Sequence, residues 1–347
     1  MILEISSKRR AEIKQVVLST LRQYGDVGLP VKIGTIIRSM HDSIKLITYS
    51  SVMKKCQISY SEMVTLAGTE DAFCVFHPRK SKYCIFYNDI PPKIVKSNRV
   101  RWNLAHELGH ILLGHHQLCG DNKLFRRTIN DELYKQLEAE ADYFAQLILV
   151  PHIVLYAHHV RKELDIQRLC KISAPAAYKR MREYKVWKRK VNTQRPYNDF
   201  YDEELFHIFY NYLYTKDCPR CGTVLVQRYG DYCPICGHTP LRKDDGKVGL
   251  IYPGIDLDDK GRAKECPVCK NENHPDDADY CKICGKPVVN YCLTALSDEG
   301  SYRCSRGNFL PGDARYCPYC GGKTTFLESG ILAEWNKLEI LPDDIPF

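Results

Sequence analysis

The stretch from Asn103 to His116, NLAHELGHILLGHH, packs four histidines and one glutamate into fourteen positions. On an α-helix His106 and His110 stand one turn apart, so both imidazoles leave the same face and can grip one ion. Glu107 lies about 100° round the axis, beside that ion rather than on it, where a carboxylate can take a proton from water. Leu104, Leu108, Ile111 and Leu112 occupy the opposite face and would anchor the helix to a core. This is the His-Glu-x-x-His arrangement of zinc hydrolases, and a buried carboxylate beside paired histidines has little other use.

Two protein ligands are too few for a catalytic zinc, which usually takes three and leaves the fourth position to water. A third histidine is one option. His116 stands at the distance from His106 that a His-x-x-Gly-x-x-His continuation requires, but Leu113 occupies the glycine position, and Met181, embedded in YKRMREYK, supplies no Met-turn. With the helix ending at Gly114, His115 or His116 could fold back toward the ion, although histidines at a helix end are more often solvated. The stronger option is LEAEADYFAQLILVP, residues 137–151, whose apolar stripe is Leu133, Leu137, Ala141, Phe144 and Ile148. Glu138 and Asp142 border that stripe as i,i+4 neighbours. Glu138 can ligate while Asp142 accepts a hydrogen bond from the free nitrogen of a ligand histidine. Glu140, on the other border, is the fallback and otherwise reads as an exposed helix charge.

The pair AHELGHILLGH and EAEADYFAQLILVP, preceded by YCIFYND and the basic NRVRWNLAHELGH, resembles the ImmA/IrrE-type metallo-endopeptidases over residues 50–190. The resemblance implies a gluzincin-like site with His106, His110 and Glu138 as ligands and Glu107 as base. It also implies a substrate, because proteases of this family typically cut a DNA-binding repressor. The long cysteine-rich extension departs from the simplest members.

Several elements must position these residues. Residues 8–53 read as helical and mixed, with Ile13, Val16, Val17 and Leu21 at helical spacing. AFCVFHPRKSKYCIFYND reads as a hairpin about a basic turn, with Cys74 and Cys84 as small buried hydrophobes. Its strand Tyr83–Tyr87 is expected to offer an edge to an extended substrate, and Tyr87 and Tyr143 are candidate oxyanion stabilisers. Helices are expected over about 98–114 and 131–150, ended by Gly114 and Pro151. LDIQRLCKISAPAAYKRMREYKVWKRK follows as helix, turn at Ser173 to Pro175 and basic helix, a helix-turn-helix-like segment.

The chain has 17 cysteines, twelve of them after residue 200. Cys218, Cys221, Cys233 and Cys236 form two Cys-x-x-Cys knuckles, and Cys266, Cys269, Cys281 and Cys284 repeat the spacing. In a third copy Ser301 stands where an outer cysteine belongs, and Cys292 can supply the missing thiolate beside Cys304, Cys317 and Cys320. Each module is too small to fold on its own core, so metal binding must supply the folding free energy.

Charge is unevenly divided: residues 1–200 carry 33 Lys and Arg against 19 Asp and Glu, whereas 201–347 carry 17 against 23. Four-thiolate zinc sites make the second part more acidic still, which argues against nucleic acid as the ribbons' partner. Between Arg161 and Arg195 twelve Lys and Arg face three acids, a candidate surface for nucleic-acid contact and equally a solvated support face. No export signal or membrane span is legible, so a cytoplasmic protein is expected.

The reading is therefore an α+β chain. A gluzincin-like minimal metalloprotease domain (1–150) and a basic helix-turn-helix-like segment (151–200) precede three small zinc ribbons (201–245, 246–290, and 291–347 with the tail). One catalytic and three structural Zn2+ ions are expected. The expected activity is endopeptidase cleavage of a protein substrate, a DNA-binding repressor of a mobile element or stress response, with the ribbons as docking or sensing modules. The alternative is a non-catalytic zinc-binding regulator or adaptor binding protein or nucleic acid, which would have no use for Glu107.

Overall fold

A computed structural model gives the structure of residues 5–25, 27–90, 95–119, 130–194, 199–243, 248–275, 277–296, 304 and 309–337. Two units divide the chain, Met1–Tyr212 and Leu213–Phe347.

In the first unit, α1 (Ser7–Tyr24) starts where the Ser6 hydroxyl accepts the Arg9 backbone N–H. Its apolar stripe of Ile13, Val17, Leu18 and Leu21 is fully buried, which leaves the polar residues of its first turn free to reach neighbours. After α2 (Ile33–Ser39), strand β1 (Ile44–Thr48) leads into α3 (Tyr49–Cys56), capped by the Thr48 hydroxyl. Helix α4 (Tyr60–Ala67) opens with a capping box between Ser59 and Glu62. The expected hairpin follows as β2 (Ala72–His77) and β3 (Lys82–Tyr87), joined by a 3-10 turn at Pro78–Lys80.

The sheet order is β1-β3-β2, with β1 parallel and β2 antiparallel to β3. This corrects one expectation. Tyr83–Tyr87 is the central strand, paired on both sides, and cannot offer a substrate-binding edge. The reason is β1, a strand inside a stretch read as helical and mixed, whose Ile44–Thr48 pairs residue for residue with Tyr83–Tyr87. The exposed edge on the hairpin side is β2.

Helix α5 (Val95–Leu112) packs on β2 and β3 with Leu104, Ala105, Leu108 and Ile111 buried, and Leu112 is only half-buried. Gly114, at φ +72°, ends it and turns the chain into the short α6 (His115–Cys119). Helix α7 (Asp131–Leu149), capped by Asn130, lies across α5 and also packs on α1. The predicted stripe is its core face: Leu137, Ala141, Phe144 and Ile148 are buried, Leu133 partly so.

Beyond Pro151 come α8 (His152–Ala157), α9 (Glu163–Cys170) and α10 (Ala174–Gln194). The α9–α10 turn sits at Lys171–Ser173, slightly before the expected Ser173–Pro175. The Ser173 hydroxyl accepts the Ala176 N–H, and Pro175 falls in the first turn, where its missing N–H costs nothing. Met181 and Tyr184 are buried core residues, as is Arg180, which pairs with Glu183 at 2.7 Å. Lys179, Arg182, Lys185, Arg189 and Lys190 remain exposed, and Arg195 lies outside the described residues. Helix α11 (Phe200–Ile208) packs on α1 and α8.

The second unit holds little regular structure: β4 (Thr215–Asp217) pairs antiparallel with β5 (Val224–Val226) and β6 (Arg242–Lys243). Its core consists of three clusters, each built around buried cysteines. Arg315, with no exposed surface, links the first of them to the segment beside the third. Its backbone N–H reaches Pro234 O at 2.8 Å, and its guanidinium donates to Ala333 O at 2.7 Å, Asp313 O at 2.9 Å and Pro253 O at 3.4 Å. The first half of the tail docks as expected, with Leu332 buried and Trp335 packed on the first cluster; residues 338–347 and Ser301 lie outside the described residues. Among the described residues no helix is long and apolar enough to cross a membrane.

One consequence is measurable. The His152 ring lies against Tyr184 and Trp187, and its Nε2 is shielded without a hydrogen-bond partner. Burial and then the nearby Arg180 push its pKa down to about 3. Below pH 6.5 the unfolded chain takes a proton there that the folded chain refuses, so this site's stability is intact above about 6.5 and is lost as pH falls toward about 3. At roughly 1.4 kcal/mol per pH unit, the wild type should lose about 2 kcal/mol at pH 5 relative to pH 7 through this residue. Urea midpoints of the wild type and His152→Leu at both pH values check this: the variant should show a shallower pH dependence, and parallel curves would refute it.

Candidate active site and metal centres

His106 and His110 leave α5 on one face, and Glu138 of α7 meets them. The two Nε2 atoms are 2.9 Å apart, and the Glu138 carboxylate lies 3.2 Å from His106 Nε2 and 3.4 Å from His110 Nε2. These three residues are a group able to hold a metal ion. The convergence depends on Gly109. A Cβ there would stand 3.1 Å from a Phe144 ring carbon and 3.3 Å from the Ala141 backbone, so any other residue would require α7 to give by a few tenths of an ångström.

The donor set fits a cation. His106 Nδ1 donates to Asp142 at 3.0 Å, the role expected of Asp142. In a neutral ring that leaves Nε2 bare, facing a second imidazole nitrogen and a carboxylate, an arrangement that repels unless positive charge sits among them. The same demand appears in the titration of the group. Against the opposing effect of burial, Asp142 and Glu138 push the His106 pKa up to about 10. The rings of His106 and His110 hold Glu138 well below the usual carboxylate range despite its burial. A dication would replace that proton.

Three expectations are corrected here. His115 and His116 are not solvated: they are 0% and 4% exposed, because the turn at Gly114 folds them back under α5. His115 Nδ1 lies 2.8 Å from His110 Nδ1, and His116 Nε2 lies 2.9 Å from Cys74 Sγ. Glu140 is not an exposed charge but 2% exposed. It accepts from Arg9 Nε at 2.8 Å, His115 Nε2 at 3.2 Å and Gln136 Nε2 at 3.1 Å, and points away from the Glu138 side. Cys74 is buried, but it also stands beside Glu107: burial and then that carboxylate keep its thiol protonated. Cys84 is half-buried on β3.

The site opens into a cleft of about 510 Å³. Its walls include the loop and edge strand from Ala67 to Cys74, Glu107 and Asp142. Neither Tyr87 nor Tyr143 lines it; Tyr143 lies instead under the Arg10 guanidinium. The tyrosine on the cleft is Tyr134, one turn before Glu138, and Trp102 and Asn103 enter one turn before His106. All three were within reach of the helical period of the two motifs. Asn88 is also structural: its amide donates to Tyr60 Oη at 2.9 Å and Glu70 O at 2.8 Å, tying the end of β3 to the cleft wall.

The cysteines assemble as grouped from their spacing: Cys218, Cys221, Cys233 and Cys236; Cys266, Cys269, Cys281 and Cys284; Cys292, Cys304, Cys317 and Cys320. Sulfur pairs lie 3.5 and 3.6 Å apart in the first, 3.5 Å in the second, and 3.4 and 3.7 Å in the third. A disulfide needs about 2.05 Å. Four thiolates at about 2.3 Å from a tetrahedral zinc lie roughly 3.8 Å from one another, which is close to these spacings. The knuckles share one turn, in which the residue after the second cysteine bonds back to the first cysteine's carbonyl with positive φ, as at Gly222, Gly237, Gly285 and Gly321.

Residues 66–182 match the family model Peptidase_M78, described as the IrrE N-terminal-like domain. The match spans both motifs, the hairpin and the start of α10, and gives the chain a peptidase-family domain consistent with a minimal metalloprotease fold, followed by three four-cysteine clusters consistent with zinc ribbons. No curated protein matches the chain.

The tight crossing of α5 and α7 generates a prediction. Gly109→Val should cost about 2 kcal/mol of stability through overpacking and should weaken metal binding at the His106–His110–Glu138 group, leaving the four-cysteine sites loaded. Metal content after mild chelation reads both, and a variant that keeps every ion as the wild type does would show that the close crossing is not required.

Proposed function

We propose that this protein is a zinc-dependent endopeptidase. The observation that carries the reading is the convergence of His106, His110 and Glu138 beside Glu107 on a cleft walled by an edge strand. Zinc held by the three ligands would act as a Lewis acid, acidifying a water and polarising the scissile carbonyl. Glu107, on the cleft and not among the three ligands, takes the water's proton at its carboxylate and returns it to the leaving amine. Asp142 keeps His106 in the tautomer that presents Nε2. The outer edge of β2 offers main-chain groups along the cleft to an extended peptide, and the Tyr134 phenol can donate to a developing oxyanion.

The substrate we propose is a DNA-binding repressor, on the strength of the family resemblance and of charge. Such a protein presents a basic surface, which suits the acidic cysteine-rich part as a docking or sensing module. The exposed face Lys179, Arg182, Lys185 and Arg189 of α10 suits the phosphates of a repressor still on its DNA. We place the protein in the cytoplasm, where thiolate sites persist without oxidation.

Three outcomes test this. Fully loaded protein should contain four zinc ions per chain by elemental analysis. Glu107→Gln should keep all of them and lose cleavage by at least 100-fold, whereas Glu138→Gln should lose one ion and activity together; cleavage surviving in Glu107→Gln would remove the enzymatic reading. Cleavage of a basic repressor substrate should slow as salt rises from 50 to 300 mM, since capture across more than about 8 Å is screened at physiological ionic strength. A salt-independent rate would leave the acidic module without a docking role.

A further inference from the structure

His110 faces two ways. Its Nε2 turns to His106 and Glu138, and its Nδ1 meets His115 Nδ1 at 2.8 Å. Two imidazole nitrogens at that distance need one hydrogen between them, and the contact alone does not say which ring carries it. The next links decide. His115 Nε2 lies 3.2 Å from Glu140 Oε2, and the same oxygen takes the Arg9 guanidinium at 2.8 Å, while Gln136 donates to Oε1. A carboxylate paired with arginine only accepts, so the hydrogen of neutral His115 is on Nε2 and its Nδ1 is bare. His110 must then carry its own hydrogen on Nδ1, and its Nε2 lone pair points at the centre.

We propose that His115, Glu140 and Arg9 form a positioning relay that fixes the tautomer and ring orientation of His110. This rests on the metal-centre reading above and gives each ligand histidine its own support: Asp142 directly for His106, and a three-residue chain for His110. The relay accounts for the burial of an imidazole and a carboxylate that the proposed chemistry does not touch. It extends the site to α1, because Arg9 lies outside the matched segment 66–182 and also donates to Leu113 O at the end of the metal helix. Gly114 is part of the device, since its positive φ sets His115 under His110. The contact also answers what the histidines after the motif are for. With Nδ1 accepting and Nε2 donating, His115 has no nitrogen left to ligate and supports the residue that does.

The wild type itself carries the first test. In full-length, zinc-loaded protein labelled with 15N-histidine, ring 15N–1H correlations report tautomer and metal ligation for each imidazole. The expected pattern is zinc on Nε2 of His106 and His110, hydrogen on Nδ1 of both, and hydrogen on Nε2 of His115. Zinc on both ligands with His115 protonated on Nδ1 would overturn the relay alone, whereas absence of zinc from both would overturn the metal-centre reading itself. The second test is release of the labile ion to a chelator. His115→Leu should speed loss of one zinc per chain by 10- to 100-fold, and His115→Gln, whose amide oxygen still accepts from His110 Nδ1, should recover most of that retention. Wild-type release from His115→Leu, or equal loss from both variants with the expected wild-type tautomers missing, would refute the proposal.

Discussion

The site depends on how closely two helices cross. Ala141 sits against Gly109, between the two histidines of α5, with Glu138 one turn to one side of the crossing and Asp142 beside it. At this separation Glu138 spans both Nε2 atoms while Asp142 reaches the outer nitrogen of His106. An added methyl at the crossing would require α7 to give by a few tenths of an ångström, and carboxylate contacts of 3.2 and 3.4 Å have little slack. The other side of α5 lies on the sheet, which sets β2 and its Cys74 next to Glu107. One helix thus takes its position from two packing surfaces, and the chemistry occupies the strip between them.

Electrostatics follow from that packing. Taking carboxylates out of water is unfavourable unless each has a cation or donor. Glu138 has the histidines and the positive charge they demand, Asp142 has the Nδ1 hydrogen of His106, and Glu140 has Arg9. Glu107 differs, with a protonated thiol for a neighbour. Glu107 lines the cleft, whereas its three counterparts are each held by a histidine or arginine partner. The division of labour among four acids on two helices is therefore a matter of which partner each one meets.

Much of this was legible from periodicity. The i,i+4 histidines, the core stripes of α5 and α7, the pairing of Glu138 with Asp142 and the grouping of twelve cysteines need only local spacing and metal valence. What spacing does not carry is the identity of a partner far along the chain. Arg9 meets Glu140 across 131 positions, so a residue with every local mark of a solvated helix charge becomes a buried link. His115 and His116 look like a frayed end until the left-handed turn at Gly114 is allowed to fold them back. The central place of β3 was hidden for the same reason, since β1 lies among helices and its pairing is non-local.

The second unit shows the same logic with metal in place of apolar bulk. Each cysteine cluster is too small to exclude water by itself, and the glycine turns that shape the knuckles offer no side chains to a core. Arg315 compensates by drawing on the carbonyls of Pro234, Ala333, Asp313 and Pro253, and its cation interacts with Cys221 of the first cluster. A buried guanidinium without a carboxylate partner would ordinarily be costly. Here the carbonyl dipoles of Ala333, Asp313 and Pro253 supply the acceptors it needs. Through these bonds one buried arginine joins the knuckle turn at Pro234 of the first cluster to the Asp313 turn beside the third, which local spacing alone would not link.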